Sequence, residues 1–296
     1  MAPRDIILDT DIGDDIDDAL AIAYALRSPE VNLRAVTTVF GNVEMRTRLA
    51  LRLLDTYQRA DIPVATGLGK PLLGPRVDKV PNQASVLSPG EKLPEPARQS
   101  AVDLILSTAM ESEQELTVIA LGALTNVAAA IVKEPNFVQK ARFVVMGGVV
   151  GQQKAEYNIS CDPEAARVVL DSDARITLVG LDVTTRCPLS GEDVLQIRDH
   201  GSPTTHLLYR MIQAWQGERS HYPVLHDPLA VAVAFDPSFV ETAAKSVRVE
   251  LRGEFTRGFT VPSDKGPGKV EVCVNVDAPR FVASFMERLL GDPEPG

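Results

Sequence analysis

Cysteine, basic charge and long apolar runs are what this sequence has least of. Three cysteines, Cys161, Cys187 and Cys273, stand in 296 residues, and no two are close in sequence. An odd number so widely spaced suggests neither a disulfide framework nor a zinc knuckle; it suits small thiols in a reducing compartment. Lys and Arg number 30 against 40 Asp and Glu, a net charge of -10. That balance argues against nucleic acid or an anionic membrane as a main partner, since both reward a basic footprint. No segment is long and apolar enough to span a bilayer. Arg4 and Asp5 run straight into Ile6-Ile7-Leu8, too short for the apolar core of a secretion signal. The expectation is a soluble, cytoplasmic protein.

What is present is ordinary in bulk and ordered in detail. Hydrophobic residues make up 45% and charged residues 24%, typical of a globular chain long enough for one large domain. Continuous apolar runs predict strands over Ile6–Asp9, Leu33–Val39, Pro63–Ala65, Leu116–Leu121, Phe143–Met146 and Ile176–Leu181. Unbroken rather than alternating runs suit strands covered on both faces. Helical patterns fill the gaps: Asp17–Leu26, Val43–Tyr57, Ala97–Met110, Asn126–Val132 and Pro163–Leu170. This alternation predicts a three-layer, doubly wound α/β fold with a mostly parallel, Rossmann-like sheet. Residues 67–96 are rich in Pro and Gly and read as a long surface excursion, a common form of lid or binding loop. Ser190–Tyr222 reads as helical. Ser246–Arg252, Gly258–Val261 and Val270–Val276 read as short strands before a closing helix, Pro279–Leu290. With no linker or repeat, residues 1–296 are expected to form one domain.

Where the first strand ends and the first helix begins, six of ten residues are acidic: Asp9, Asp11, Asp14, Asp15, Asp17 and Asp18. Helix capping uses one or two such carboxylates. Six repel one another and raise one another's pKa unless a cation neutralises them. Crowded carboxylate oxygens are the hard ligands of calcium or magnesium, and ligands in doubly wound sheets bind at the carboxyl ends of strands. An EF-hand does not fit, because the twelfth position holds Leu20 counted from Asp9 and Ile22 counted from Asp11. A magnesium-dependent phosphatase with Asp9 as nucleophile fits poorly, because Gly13 stands where that motif wants Thr or Val.

Other segments supply further candidates. In His226-Asp227-Pro228, Asp227 fits a helix N-cap and Pro228 the first helical position, with His226 just outside. A histidine beside a carboxylate suits acid–base work near neutral pH, although a lone histidine is also commonly structural. Asp162-Pro163-Glu164 repeats the capping pattern and is read as structural. Glu156 and Asn158, two apart in a segment read as extended, would point to one side and could hold sugar hydroxyls, or could be plain loop surface. Asn42, after Gly41, and Thr125, in Leu-Thr-Asn, close strands at the same sheet end as the acidic run. Thr125 sits where a backbone carbonyl would be free for a metal. Gly147-Gly148 permits close backbone approach.

Taken together the set resembles the inosine–uridine-preferring nucleoside hydrolase family over nearly the whole chain. The shared pieces run in order: Asp-x-Asp-x-Gly…Asp-Asp, Thr-x-x-Gly-Asn, Leu-Thr-Asn, Met-Gly-Gly, Ala-Glu-Tyr-Asn…Asp-Pro-Glu-Ala and His-Asp-Pro. The resemblance implies calcium-dependent hydrolysis of a ribonucleoside to ribose and free base, by a homodimer or homotetramer. It makes Asp11 a Ca²⁺ ligand and the base that activates water, and Asp18, Asp227 and the Thr125 carbonyl further ligands. Asp17, Asn42, Glu156 and Asn158 would hold ribose, and His226 would serve the leaving base, whose pocket Trp215, His221 and Tyr222 could line if they are not helix-packing residues. The chemistry is consistent with an oxocarbenium-like transition state surrounded by anionic side chains.

This sequence departs from the family pattern in three places. Asp17 follows Asp11 by six positions where the commonest motif has four, and Asp14 and Asp15 fill the extension. The stretch Val80–Pro89 lacks the family's histidine-glycine motif, and Val150–Lys154 lacks an asparagine often found before Glu156. A non-catalytic nucleoside or sugar sensor that keeps the calcium site is the alternative such losses leave open.

Overall fold

Ile6, Ile7 and Leu8 set the plan of the molecule. Successive side chains of a strand point to opposite faces. In β1 (Arg4–Thr10), Ile6 and Leu8 join one hydrophobic core and Ile7 joins another. Each is fully buried, which contributes about 2 kcal/mol per side chain. A strand buried on both faces needs helices above and below it, and the chain supplies them.

The computed structural model describes residues 2–217, 221–265 and 269–291. Residues 218–220 of the stretch read as helical, and the ends of the 1–296 span, lie outside these. A single sheet carries β2 (Val31–Thr38), β3 (Val64–Ala65), β4 (Leu116–Ala120), β5 (Ala141–Met146), β6 (Arg175–Val179), β7 (Val240–Val249), β8 (Thr260–Ser263) and β9 (Val270–Val276) beside β1. Its order is β3-β2-β1-β4-β5-β6-β9-β7-β8. Seven strands from β3 to β9 run parallel, and β7 and β8 close the far edge antiparallel. The fold is a single mostly parallel α/β domain, as the alternation of runs predicts.

One face is covered by α1 (Asp17–Leu26), α2 (Val43–Thr56), α10 (Pro203–Gln216), α11 (His226–Phe235) and α12 (Ala278–Leu290). The other carries α3 (Ala101–Glu111), α4 (Thr125–Lys133) and α7 (Pro163–Asp171). Short helices α5 (Phe137–Lys140), α6 (Tyr157–Cys161) and α8 (Leu181–Thr184), with α9 (Gly191–Asp199), complete the set. β1 has β2 on one side and β4 on the other, so the winding reverses beside its carboxyl end. That is the switch point at which doubly wound sheets bind ligands.

Several boundaries differ from the sequence reading. β6 stops at Val179, because Gly180 turns the chain into α8 and the Leu181 N–H bonds to the Gly148 carbonyl. α3 begins at Ala101, capped by Ser100, and the Ala97 N–H pairs with the Val64 carbonyl instead. β7 starts at Val240, six residues early, and its first half carries half-exposed residues whose strand signal is weak. β8 begins at Thr260 rather than Gly258. The excursion 67–96 is irregular apart from a short 3₁₀ turn, Asn82–Val86.

Asp162 is structural, as its pattern suggests. It is fully buried and caps α7 by accepting the Ala165 N–H at 3.0 Å. It also accepts the Thr125 hydroxyl at 2.7 Å and the Leu72 N–H at 2.8 Å. Asp162→Ala removes the cap and leaves buried donors unpaired, so a loss of about 2 kcal/mol in unfolding free energy is expected. Denaturant unfolding checks this; an unchanged midpoint would mean that the cap does not hold α7.

Candidate active site

The acidic run leaves β1 at the switch point and enters α1 without capping it. Ile16 occupies the capping position and no side chain caps the helix. Among the described residues Asp15 Oδ1 accepts only the neighbouring Ile16 N–H, at 2.7 Å. Capping therefore does not account for the acidic residues. Asp17 and Asp18 instead bury their carboxylates against Asp227, whose backbone N–H lies 3.3 Å from Asp17 Oδ2. One oxygen from each of the three lies within 4.8 Å of the others.

Asp227 does not cap its helix, contrary to what the sequence pattern predicts. α11 starts at His226, with Leu225 in the capping position and no capping side chain. Asp227 is inside the first turn rather than at the cap, and His226 belongs to the helix. The reason is the tight turn before it, where the His226 N–H bonds to the Val224 carbonyl. With capping removed, the Asp227 carboxylate is left to the acidic cluster.

Burial and mutual repulsion push Asp17, Asp18 and Asp227 well above the ordinary carboxylate range. Burial pushes Asp11 up to about 6, with Arg46 opposing, and Asp9 up to about 7, with Thr37 and Asn126 opposing. Glu156 is also raised by burial, against four backbone N–H groups that favour its charged form. Among the described residues the only buried basic side chain is Arg46. Its Nη1 donates to the carbonyls of Asp11 and Ile12, its Nε to Phe40, and its Nη2 to Asp14 Oδ2 at 2.9 Å. One guanidinium, spent mainly on carbonyls, leaves the three converging carboxylates uncompensated. A hard divalent cation is the partner their oxygens fit.

These carboxylates line a cavity of about 410 Å³. Glu156, Asn158 and His226 also line it, as do Trp215 and His221, whose rings meet edge to face at 5.3 Å. Glu156 and Asn158 arrive differently from the extended segment read in the sequence, because Tyr157–Cys161 is a helix. Glu156 is its N-cap and accepts N–H groups from Asn158, Ile159 and Gly148 at 2.8–3.0 Å. The Asn158 amide donates to the Leu121 and Met146 carbonyls, which turns its other end to the cavity. His226 Nδ1 lies 2.7 Å from Thr184 Oγ1, and burial lowers its pKa while Asp15 opposes.

Several residues singled out in the sequence do not line the cavity. Asn42 caps α2, accepting the Met45 N–H at 3.1 Å. Thr125 opens α4 with its hydroxyl on Asp162. Tyr222 packs toward Gly191. Asp11 is buried, so close to Gly122 that a Cβ there would fall 2.8 Å from its Oδ1. Its charge nevertheless acts on Asp17, Asp18 and Asp227. Asp9, the nucleophile of a phosphatase reading, is fully buried and bonded to Thr37 and Asn126, away from the cavity.

The extension has its own partners. Asp14 pairs with Arg46 and with Lys79 of the excursion. The Asp15 carbonyl accepts the Gln83 amide, and the Gly13 carbonyl accepts the Gln83 N–H. Gly13, at φ 127°, has no room for a Cβ beside Pro81. The two added residues thus tie the excursion over the site, where Lys79 and Asn82 line the cavity. Phe40, at φ 60°, lines it too. The one sequence signal for Arg46 was a charge set in the apolar stripe of α2, at helical spacing from Val43 and Leu49.

A model of the inosine-uridine preferring nucleoside hydrolases matches residues 6–283. The chain belongs to the inosine–uridine-preferring nucleoside hydrolase family. It is a hydrolase acting on N-glycosyl compounds. The pyrimidine-specific ribonucleoside hydrolase RihA of Escherichia coli O127:H6 is 36% identical, over 96% of this chain and 97% of the relative. A plant nucleoside hydrolase, PpNRh1, has a TM-score of 0.89 at 32% identity, over 98% of this chain and 100% of that one. A purine-preferring ribonucleoside hydrolase from Gardnerella vaginalis has a TM-score of 0.85 at 33% identity, over 97% and 98%. Among the described residues of this nucleoside hydrolase no helix is long and apolar enough to cross a membrane.

The crowded carboxylates make metal-free protein sensitive to alkali. Their pKa values are higher folded than the ordinary 3.8, so the folded chain keeps protons that the unfolded chain has released. Their contribution to stability is full below about pH 4 and is lost as pH rises through the folded values. In chelator, Asp227→Asn is expected to flatten the fall in melting temperature as pH rises above about 4. A variant slope equal to wild type would rule out the buried Asp227 carboxylate as a cause.

Proposed function

We propose that this chain hydrolyses the N-glycosidic bond of a ribonucleoside, giving ribose and free nucleobase, with calcium as its cofactor. The observation that carries this is the convergence of Asp17, Asp18 and Asp227, buried and uncompensated, on the floor of a cavity that His226 also lines. Asp11, Asp18, Asp227 and the Thr125 carbonyl are the assigned calcium ligands, with Asp17 beside them and close enough to share the ion or the ribose hydroxyls. Calcium bound there supplies a hard positive charge that polarises hydroxyl groups and water.

The protein's own groups do the rest. Asp11 takes a proton from the attacking water. Asp17, Glu156 and Asn158 orient the ribose from the cavity wall, and Asn42 braces the same end of the sheet from the cap of α2. As the C1′–N bond opens, positive charge grows on the sugar ring, and the anionic wall stabilises it. His226 faces the departing base with a hydrogen bond. Trp215 and His221 offer an aromatic wall to a flat ring. Relatives of opposite base preference match this chain at similar identity, 36% and 33%. The base is therefore decided by assay.

The test is a panel of purine and pyrimidine ribonucleosides, incubated with protein and calcium and assayed for reducing sugar. At least one is expected to release ribose, with loss of turnover on chelation and its return with calcium. Asp11→Ala is expected to lower kcat on the order of 10³-fold. No ribose from any member of the panel would remove the catalytic reading and leave a nucleoside-binding protein. Equal activity in wild type and Asp11→Ala would remove Asp11 as the base.

A further inference from the structure

His226 is fixed from one side only. Its Nδ1 lies 2.7 Å from Thr184 Oγ1, while its Nε2 has no hydrogen-bond partner among the described residues of a cavity that the ring lines. Thr184 closes the short helix Leu181–Thr184 and is fully buried. Its backbone N–H bonds to the Gly180 carbonyl, and its hydroxyl has no hydrogen-bond partner except His226 among the described residues.

A hydroxyl carries one proton and can also accept. Buried, that proton must find an acceptor, because an unpaired buried donor destabilises the fold. The acceptor within reach is Nδ1 of the ring. The opposite arrangement, with Nδ1–H donating to Oγ1, strands the hydroxyl proton with no acceptor. A neutral imidazole has one N–H, so an accepting Nδ1 places that N–H on Nε2.

We infer that the Thr184 hydroxyl donates to His226 Nδ1 and so fixes the neutral ring in the tautomer whose Nε2–H is presented to the cavity. Thr184 is then a positioning residue for the leaving-group side, and the hydrogen-bond donor to the departing base is the neutral imidazole. The inference rests on the reading of His226 under the proposed function. As the C1′–N bond breaks, its electron pair passes to the nucleobase, and the Nε2–H hydrogen bond stabilises it there. Water delivers its hydroxyl to C1′, and the proton it gives up ends on the base, so nucleoside plus water gives ribose plus free base. Neutral imidazoles serve as such donors where the ring nitrogen opposite is held as an acceptor.

The experiment uses full-length, calcium-loaded protein labelled with ¹⁵N in its four histidines. Long-range ¹H–¹⁵N spectra report which ring nitrogen bears hydrogen, and His226→Gln identifies the His226 signals. Wild type is expected to show His226 as the Nε2–H tautomer. Thr184→Val, of the same shape without the hydroxyl, is expected to lose that preference. It should lower kcat on a ribonucleoside about 10-fold with little change in KM. It should act far less on p-nitrophenyl riboside, whose leaving group departs without a hydrogen bond. Thr184→Ser should restore both the spectrum and the rate. A wild-type ring protonated on Nδ1, or equal loss on both substrates in Thr184→Val, would overturn the inference. The wild-type spectrum, assigned with His226→Gln, needs no turnover. A protein that hydrolyses no ribonucleoside therefore refutes the proposed function while the tautomer is still decided.

Discussion

Repulsion among buried carboxylates at the end of β1 is the constraint that the rest of the site answers to. Asp9, Asp11, Asp17, Asp18, Glu156 and Asp227 are all buried, and Arg46 is the one basic side chain buried with them among the described residues. Burying an uncompensated carboxylate is costly, and the chain spreads the cost in recognisable ways. Asp9 is held by Thr37 and Asn126, and Glu156 is spread over several backbone N–H groups. Asp18 accepts the Thr10 hydroxyl. Asp17 and Asp227 have little beyond a single backbone N–H between them. The residual charge is concentrated where three segments, β1–α1, β4–α4 and the start of α11, meet at the switch point.

The surrounding architecture keeps that charge in place. Arg46 reaches out of α2 to hold the carbonyls of Asp11 and Ile12, so the loop that presents the acids is tied to a helix. Asp14 and Gln83 continue the tie to the excursion over the cavity. Gly122 leaves room for the Asp11 carboxylate. At the same cavity, α6 presents Glu156 and Asn158 from its N-terminus, and α8 meets α11 through Thr184 and His226. Residues more than two hundred positions apart thereby face one cavity.

Much of this was legible in the sequence, for physical reasons that also explain the gaps. β1, β2, β4 and β5 stand out because a parallel strand covered on both faces must be apolar throughout. The acidic run stood out because no capping role absorbs six carboxylates, and the structure shows that none of them caps α1. β7 was half missed because its outer residues meet solvent, and α5, α6 and α8 are too short to carry a helical period. Glu156 reads as part of an extended segment for that reason, although its side chain caps a helix. Asp14 and Asp15 could not be assigned without Arg46, Lys79 and Gln83, whose proximity arises only in the fold. Thr184 carries no local signal at all; its meaning comes from a partner 42 positions away.

Calorimetric titration of chelator-treated protein with calcium tests the central claim most directly. If the buried acids are built for a divalent cation, one ion binds per chain. Binding then releases protons, seen as an enthalpy that changes with buffer ionisation heat, because carboxylates with raised pKa must ionise to coordinate. Asp227→Asn should lose the site. A protein that binds no calcium, or that binds it equally well in Asp227→Asn, would contradict the account.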